Sequence, residues 1–117
     1  MIRRDGPIVQ KSFAFAIAII KFCDSLSERK KYVISNQLMK SGTSIGASVF
    51  EAQYSESRLD FIHKMKIAQK EAYETLYWLL ICERMENLEV QQELLNILNE
   101  ILAILSKIIV TSKKNLN

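Results

Sequence analysis

Several carboxylates in this sequence could form a catalytic pair. Glu51 lies one turn from Ser48 and two turns from Ser44 if the segment is helical, and Glu71 and Glu74 follow further along. Paired carboxylates can act as general acid and general base. A glutamate beside hydroxyl-bearing residues more often accepts structural hydrogen bonds or pairs with a nearby lysine. We therefore interpret these residues as structural and predict no catalytic residue.

The histidine content argues against a metal site. A di-metal site in a four-helix bundle takes a glutamate from each of two helices and a Glu-x-x-His motif from each of the other two. The sequence has one histidine, His63, with Asp60 three positions before it. It also lacks a glycine-rich phosphate loop and a nucleophile motif. The sequence thus predicts neither a metal nor a cofactor.

Basic residues are unevenly distributed. The net charge of +3 is small for a dedicated nucleic-acid-binding protein. In an up-down-up-down bundle, however, the two chain ends and the turn between the second and third helices share one end, which we call the basic pole. Its basic residues are Arg3, Arg4, Lys11, Arg58, Lys64, Lys66, Lys107, Lys113 and Lys114, and its acidic residues are Asp5, Glu51, Glu56 and Asp60. Such a pole attracts the phosphates of RNA or DNA without reading bases; the alternative is that these are ordinary solubilising chain ends.

Four stretches with apolar periodicity position these groups. Apolar residues recur every three or four positions over residues 8–27, 32–54, 57–85 and 89–110, which predicts four helices. The short connections make successive helices antiparallel neighbours. We expect residues 1–117 to form one all-α domain, an antiparallel up-down-up-down four-helix bundle. Ser57, followed three residues later by Asp60, predicts a capped start for the third helix.

The second predicted helix has an unusual middle. From Ser41 to Ser48 every residue except Ile45 is small, and each glycine costs a helix about 1 kcal/mol relative to alanine. Gly42 and Gly46 lie four residues apart on one helix face. We therefore predict that another helix backbone approaches closely there.

The first and third helices carry more apolar surface than one core needs. The first has two stripes, one with Phe13, Ile17 and Ile20 and the other with Phe15, Ile19, Phe22 and Leu26. The end of the third helix is apolar nearly all round. A monomer would expose too much of this surface, which favours a homo-oligomer. The residues predicted at its interface are Phe15, Ile19, Phe22, Tyr73, Tyr77 and Trp78.

Membrane and disulfide signals are weak. The longest uninterrupted apolar run, Phe13 to Ile20, is shorter than the roughly 20 residues that a membrane span needs. No small-residue cleavage site of a secretory signal follows it. Cys23 and Cys82 lie in apolar stretches, which predicts buried, reduced thiols. We expect a cytoplasmic protein with no membrane partner.

The segment from Thr43 to Leu80 has a recognisable pattern. It resembles the 23S rRNA-intervening-sequence family, also called the four-helix bundle protein family. Ser48 differs from the asparagine usual in the family. The residues that carry the resemblance include Ser44, Ile45, Gly46, Glu51, Asp60, Phe61, Glu71 and Glu74. The resemblance implies homo-oligomers, with a pentameric ring favoured. It also implies a relationship to the RNA-binding accessory protein of diversity-generating retroelements, in which case a reverse transcriptase is an expected partner.

A second resemblance supports an alternative function. Arg58 and His63 have the Arg-x4-His spacing of the ribonuclease motif of the HEPN superfamily, which implies a metal-independent ribonuclease. Five residues along a helix turn the two side chains about 140° apart, and Leu59 replaces the polar residue common after the arginine. We therefore favour a non-enzymatic scaffold or adaptor that binds RNA or DNA nonspecifically through its basic pole.

Overall fold

The computed structural model describes residues 6–85 and 90–116. These residues form four α-helices, and the described part of the chain contains no strand. The helices are α1 (Pro7–Glu28), α2 (Tyr32–Ala52), α3 (Arg58–Arg84) and α4 (Gln92–Lys114). The predicted all-α fold is confirmed. The predicted start of the fourth helix at residue 89 lies outside the described residues, and α4 continues past its predicted end at residue 110, because the polar residues that follow include no glycine or proline.

Local sequence explains where two of the helices begin. Pro7 occupies the first turn of α1, where its missing N–H group costs no hydrogen bond. At the start of α3, the Asp60 N–H group donates to the Ser57 hydroxyl at 3.0 Å, as the capping pattern predicts. The Asp60 carboxylate in turn accepts from the Glu56 N–H group at 3.3 Å. The turn before α3 is therefore fixed by its own side chains.

The helices pack in a cycle. Packed pairs are α1 with α2, α2 with α3, α3 with α4, and α4 with α1, while in the described ranges no Cα pair joins the diagonal helices within 8 Å. The described residues form a rod of 51 × 20 × 20 Å. This arrangement is the up-down-up-down bundle that the short connections predict.

One apolar stripe from each helix fills the interior. The largest wholly buried apolar side chains are Phe15, Ile19, Leu26, Leu38, Ile45, Met65, Leu79, Leu98, Ile101 and Leu105. Burying a side chain of this size contributes about 1.5–3 kcal/mol each to folding. The stripes are those that the helical periodicity predicts.

The structure corrects the predicted oligomer interface on α1. Phe15 and Ile19 are fully buried and Phe22 is nearly so, and all three belong to the chain's own core. They are therefore not available to another subunit. Phe13 and Ile17 belong to the other apolar stripe of α1, which is exposed. Sequence periodicity identifies both stripes, but only the packing of α1 against α2 and α4 decides which one faces inward.

The small residues of α2 allow a close contact with α1. A Cβ atom on Gly46 would lie 3.1 Å from the backbone carbonyl oxygen of Ser12, which confirms the predicted backbone approach. A Cβ atom on Gly42 would lie 2.7 Å from Ile19 Cγ2, so a side chain fills the space there. We call these four residues the glycine seam. The glycines are needed because a larger side chain would push α1 away.

Helix α4 is long and apolar enough, by length and composition, to cross a membrane. This is weak evidence for a membrane segment, because the core helix of a bundle passes the same test. Leu98, Ile101 and Leu105 on α4 are fully buried against the other helices. The interior of the bundle therefore accounts for part of the apolar character of α4, whose apolar window is 39% buried.

The two cysteines are free and buried, as predicted. Burial raises the pKa of Cys23 to about 11 and also raises the pKa of Cys82. The two thiols belong to α1 and α3, which lie diagonally across the bundle with no Cα pair within 8 Å. A disulfide needs Cα atoms about 4.4–6.8 Å apart, so the two residues cannot form one without a large backbone movement.

Candidate functional site

A cleft opens at the basic pole, lined by residues of α1, α3 and α4 and by Gln53, which follows the end of α2. The start of α1, the end of α2, the start of α3 and the end of α4 enclose about 380 Å³. Most of the lining is apolar. The apolar lining residues are Pro7, Ile8, Val9, Phe61, Met65 and Ile108. We call this space the polar-end cleft.

Two cationic side chains line this cleft. Arg58 stands at the first position of α3, and Lys107 lies two turns before the end of α4. Neither residue takes part in an ion pair within the described ranges, where the pairs are Lys11 with Glu100 at 3.3 Å and Lys64 with Asp60 at 3.9 Å. The cleft therefore combines apolar walls with two positive charges that the chain itself does not neutralise.

Two further cations meet beside the cleft. A side-chain hydrogen bond with Lys66 lowers the pKa of Lys113, and the repulsion between the two like charges lowers it further. Lys113 and Lys114 also lie in the last turn of α4, where the helix dipole favours positive charge. The pole thus holds a lysine pair that forms no ion pair with a carboxylate of the described residues.

The cleft also contains polar side chains that are almost completely buried. Ser112 is 5% exposed, and its hydroxyl forms no hydrogen bond with the described residues. No fully enclosed side-chain oxygen or nitrogen in the described residues lacks a partner, so this hydroxyl keeps some access to solvent, on a residue that lines the cleft. Gln53 is 7% exposed and donates from Nε2 to the Val49 carbonyl at 2.9 Å. Ser112 therefore retains an unused hydrogen-bonding group inside an apolar space.

The start of α1 adds backbone donors to this end. Gly6 is the N-cap residue and offers no side-chain cap, and the first turn contains no acidic residue. The Gly6 carbonyl accepts from the Gln10 N–H group at 3.1 Å. The N–H groups of Ile8 and Val9 lie at the positive end of the helix dipole, beside the cleft that these residues line.

The predicted basic residues occupy different surroundings in the structure. Arg58 and Lys107 line the cleft, and Lys66 and Lys113 form the adjacent pair. Two others are engaged within the chain, Lys11 with Glu100 and Lys64 with Asp60. Lys114 is exposed at the end of α4, and Arg3 and Arg4 lie outside the described residues. Among the described basic residues of the pole, Lys11 and Lys64 are therefore the ones that form ion pairs.

The predicted hydrogen-bond network around Glu51 does not form. Glu51 is exposed, and the Ser44 hydroxyl donates to the Lys40 carbonyl of its own helix at 2.6 Å. The Trp78 indole N–H group donates to the Glu74 carboxylate at 3.3 Å. Hydroxyls on a helix can bond to the carbonyl four residues earlier, and here that local bond replaces the longer one.

The remaining residues of the family pattern have structural positions. Ile45 is fully buried, Gly46 belongs to the glycine seam, and Asp60 completes the cap of α3. The backbone carbonyl of Glu71 accepts from the Thr75 hydroxyl at 2.8 Å. Phe61 is an exception, because it forms part of the wall of the polar-end cleft.

Buried hydroxyl groups link the helices in the interior of the bundle. The apolar pattern of the sequence does not predict these hydrogen bonds. Thr75 on α3 and Ser41 on α2 are both fully buried, and their hydroxyls form a hydrogen bond at 2.9 Å. Ser35 on α2 donates to the Cys23 carbonyl on α1 at 3.0 Å. The sequence signal is a serine or threonine at a core position of an apolar stripe, as at Thr75 between Ala72 and Leu79.

The ribonuclease alternative is not supported by the placement of its two residues. Arg58 lines the polar-end cleft, whereas His63 is exposed and does not line it. Both residues lie on the continuous helix α3, so the five-residue spacing turns their side chains in different directions. One chain does not bring them into a common site.

An exposed apolar groove runs between α1 and α2. It encloses about 730 Å³ and has a floor of small residues that includes Gly46 and Ala47. Its exposed apolar walls are Phe13, Ile17, Ile20 and Phe50, which are 39–66% exposed. We call it the α1/α2 groove. It is the surface with the stripe of α1 that the core does not use.

Exposed aromatic side chains also project from α3. Tyr73 and Tyr77 are 54% and 59% exposed, whereas Trp78 is half-buried against the core. Tyr77 and Trp78 make an edge-to-face ring contact with centroids 5.3 Å apart. Tyr73 follows Gln69 by one turn, and Gln69 donates to Ser106 of α4 at 3.0 Å. The two tyrosines, which we call the α3 ridge, therefore lie toward the α4 side, away from the α1/α2 groove.

No group of three or more histidine, cysteine, aspartate or glutamate side chains comes together within residues 6–85 and 90–116. The donors that a metal ion prefers are thus not clustered in the described structure. The chemical character of the site is set by its cations, its apolar walls and its open hydroxyl.

Comparisons with known proteins agree on one family. The sequence model described as "23S rRNA-intervening sequence protein" matches residues 4–107. A crystal structure of a protein of unknown function from the S23 ribosomal protein family of Bacteroides thetaiotaomicron is 42% identical in sequence and superposes with a TM-score of 0.84. The match covers 87% of this chain and 97% of that chain. None of the curated proteins compared with the chain matches it.

Proposed function

Because the chain belongs to the 23S rRNA-intervening sequence protein family, we propose that it is a non-enzymatic, homo-oligomeric scaffold or adaptor. In this proposal it binds RNA or DNA nonspecifically through its basic pole. The family name refers to rRNA and assigns no reaction, so the argument rests on the charges and surfaces of this chain.

The lysine pair at the pole is the observation that carries the nucleic-acid proposal. Lys66 and Lys113 lie close enough for one to lower the pKa of the other, and neither forms an ion pair with a carboxylate in residues 6–85 and 90–116. Arg58 and Lys107 add unpaired cations at the same end. Holding like charges together is unfavourable without a counter-ion. A phosphate backbone offers negative charges at regular intervals and would relieve that repulsion.

The charge arrangement supports binding without sequence selection. The unpaired cations come from α3 and α4, and backbone N–H groups come from the start of α1. Contacts of these kinds position a phosphate backbone but carry no direct information about base sequence. The affinity should therefore depend strongly on salt and weakly on sequence.

The exposed apolar surfaces support the homo-oligomer. The α1/α2 groove is concave with small residues at its floor, whereas the α3 ridge projects from another side of the same bundle. We propose that the ridge of one subunit enters the groove of the next. Such a head-to-tail contact between different surfaces closes into a ring when the rotation permits it, and the family resemblance favours five subunits.

Charge-reversal variants test the nucleic-acid proposal. In the double variant Lys66→Glu/Lys113→Glu, the affinity for a single-stranded RNA at about 50 mM salt should fall at least about tenfold, because two phosphate contacts are lost. The slope of log K against log salt should decrease in magnitude by about 1.4. Fluorescence anisotropy of a labelled oligonucleotide measures both quantities.

A matched control has the same change in net charge elsewhere. Lys21→Glu/Lys40→Glu alters two exposed lysines that do not line the polar-end cleft. It should bind RNA nearly as well as the unmodified protein. Equal losses in the two double variants, or no binding by the unmodified protein at low salt, would contradict the proposed pole.

Light scattering tests the homo-oligomer. At micromolar concentration the protein should have the mass of an oligomer, which is two or more times the subunit mass of 13.5 kDa. Ile17→Asp places a charge in the α1/α2 groove and should shift the mass toward one subunit, because an unpaired charge in an apolar interface is costly. Val33→Asp, at an exposed position outside the groove, should not. A monomeric unmodified protein would refute this part of the proposal.

A further inference from the structure

We propose that the polar-end cleft binds one nucleoside monophosphate unit, with the base between the apolar walls and the phosphate near Arg58 and Lys107. The unit is either a free nucleotide or an unstacked nucleotide of a single-stranded RNA. The RNA form of this inference rests on the proposed function of the basic pole, whereas the free-nucleotide form does not.

The size of the cleft suits a small ligand. Its volume of about 380 Å³ lies in the range of small-molecule sites, which is roughly 300–1,000 Å³. The cleft is lined by residues of α1, α3 and α4 and by Gln53 after α2, rather than by one loop. A helical duplex keeps its bases stacked and paired, so only a free or unstacked base could enter such a cleft.

The apolar walls of the cleft favour a ligand that has a flat, weakly hydrated group. Ile8, Val9 and Ile108 line the cleft together with Met65 and the aromatic ring of Phe61. Apolar and aromatic side chains are the usual surroundings of a base that has left its stack. Inorganic phosphate alone would leave these walls uncovered.

The Ser112 hydroxyl distinguishes a base from a hydrocarbon chain. Ser112 is almost buried and lines the cleft, and its hydroxyl forms no hydrogen bond with the described residues. A fatty acid could place its carboxylate on the cations, but its chain would cover the hydroxyl without bonding to it, and an unsatisfied buried polar group is costly. A nucleobase carries donors and acceptors on its edge and can satisfy the hydroxyl. Gln53 supplies a second polar group in the same wall.

The cations fix the other end of the ligand. Arg58 and Lys107 have no acidic partner in the part of the chain that the structure describes. The N–H groups of Ile8 and Val9 lie nearby at the positive end of α1, and helix starts of this kind bind phosphate. The cleft therefore matches an anion that is covalently attached to a flat polar ring, which is the chemistry of a nucleotide.

Nuclear magnetic resonance of labelled methyl groups tests the assignment. Adenosine monophosphate should shift the methyl signals of Met65 and Ile108 in a saturable manner, while the methyl signals of Met39, on α2 away from the cleft, should not move. Adenosine should bind at least about tenfold more weakly, because it lacks the phosphate. Inorganic phosphate should leave the Met65 signal in place. Equal shifts with inorganic phosphate and with the nucleotide would overturn the assignment of a base to the cleft.

Two variants separate the two ends of the ligand. Ser112→Ala should weaken binding of adenosine monophosphate about fivefold, since one neutral hydrogen bond is lost. Arg58→Gln should weaken binding of adenosine monophosphate more than binding of adenosine. Lys40→Gln is the charge control, because Lys40 is exposed on α2, lies outside the basic pole and does not line the cleft. An unchanged affinity in both Ser112→Ala and Arg58→Gln would overturn the proposal.

Single-stranded and duplex RNA of equal length distinguish the source of the nucleotide. If the cleft receives an unstacked nucleotide, Ser112→Ala should weaken binding of the single strand and leave binding of the duplex unchanged. RNA binding without any nucleotide shift at Met65 would refute the cleft assignment and leave the basic pole intact. Nucleotide binding without RNA binding would refute the proposed function of the pole and assign the cleft to a free nucleotide.

Discussion

The interior of the bundle and its basic pole differ in whether their polar and charged groups have partners within the chain. Within the interior, the Ser35 hydroxyl donates to the Cys23 carbonyl at 3.0 Å and Gly46 packs against the backbone of Ser12. At the pole, the Ser112 hydroxyl forms no hydrogen bond with the described residues, and Lys66 is close enough to lower the pKa of Lys113. Groups that hold helices together are satisfied inside the chain. The Ser112 hydroxyl and the two lysines at the pole are available to a ligand from outside the chain. This difference marks the pole as the candidate binding site.

The largest expected effect concerns the buried thiols. Burial raises the pKa of Cys23 from 9.0 to about 11, and the thiolate is the reactive form. At pH 8, Cys23 and Cys82 in the folded protein should react with an aromatic disulfide reagent at least about 100-fold more slowly than in denaturant. Absorbance of the released thiolate measures this rate. Rapid reaction of the folded protein would show that the interior is not closed as described.

The same pKa shift predicts a pH dependence. The unfolded thiol ionises near its ordinary pKa, whereas the folded thiol stays neutral to a higher pH. The contribution of Cys23 to the free energy of unfolding is therefore fully present below about pH 9 and is lost as the pH rises to about 11. Denaturant titrations should show that the free energies of unfolding of the unmodified protein and of Cys23→Ala become more similar as the pH rises from about 9 to about 11.

The next largest effect is expected at the glycine seam. Gly42→Val should lower the free energy of unfolding by about 2 kcal/mol or more, because the new side chain would overlap the fully buried Ile19. Ala103→Val introduces the same side chain at an exposed position of α4 and should cost less than about 1 kcal/mol. Urea titrations of both variants make the comparison. Equal losses would mean that α1 can move away from α2 easily.

A pair of serine variants compares the two regions directly. Ser35→Ala removes hydrogen bonds to the Cys23 carbonyl and to Ser27, and it should lower the free energy of unfolding by about 1 kcal/mol. Ser112→Ala removes a hydroxyl without a partner, so stability should stay within about 0.5 kcal/mol of the unmodified protein. Thermal denaturation without added ligand measures both. A large loss in Ser112→Ala would assign that hydroxyl a structural role.

The smallest effect is expected at the lysine pair. Lys113→Gln removes the repulsion from Lys66 and should raise Tm slightly at low salt, with the difference disappearing at high salt as the charges are screened. Lys40→Gln is a control, because Lys40 is exposed on α2 and forms no ion pair with another described residue. Differential scanning calorimetry at two salt concentrations is sufficient. A salt-independent change would show that Lys113 acts through packing and not through charge.

Features that depend on nearby residues were predictable from the sequence. The recurrence of apolar residues places the four helices, and the spacing of Ser57 and Asp60 identifies the start of α3. The family was also predictable, because the pattern between Thr43 and Leu80 is specific, and the sequence model of the family covers it. Homo-oligomer formation and nucleic-acid binding remain predictions.

Features that depend on convergence in space were not predictable. The two stripes of α1 are equally apolar, and only packing shows that Phe15 and Ile19 face inward while Phe13 is exposed. Lys66 and Lys113 belong to different helices, and no periodicity indicates that they meet. Ser112 lies beyond the predicted end of the fourth helix, so the polar wall of the cleft could not be placed from the sequence.

Both the first turn of α1 and the last turn of α4 border the polar-end cleft. A peptide joined directly to the first turn of α1 or to the last turn of α4 would therefore start next to the cations and could shield or mimic a ligand. A polyhistidine purification tag joined there would add protonatable groups beside the cleft and distort a retention assay. The turn between α1 and α2 is at the far end of the 51 Å rod, so an affinity epitope inserted there would leave the cleft unobstructed.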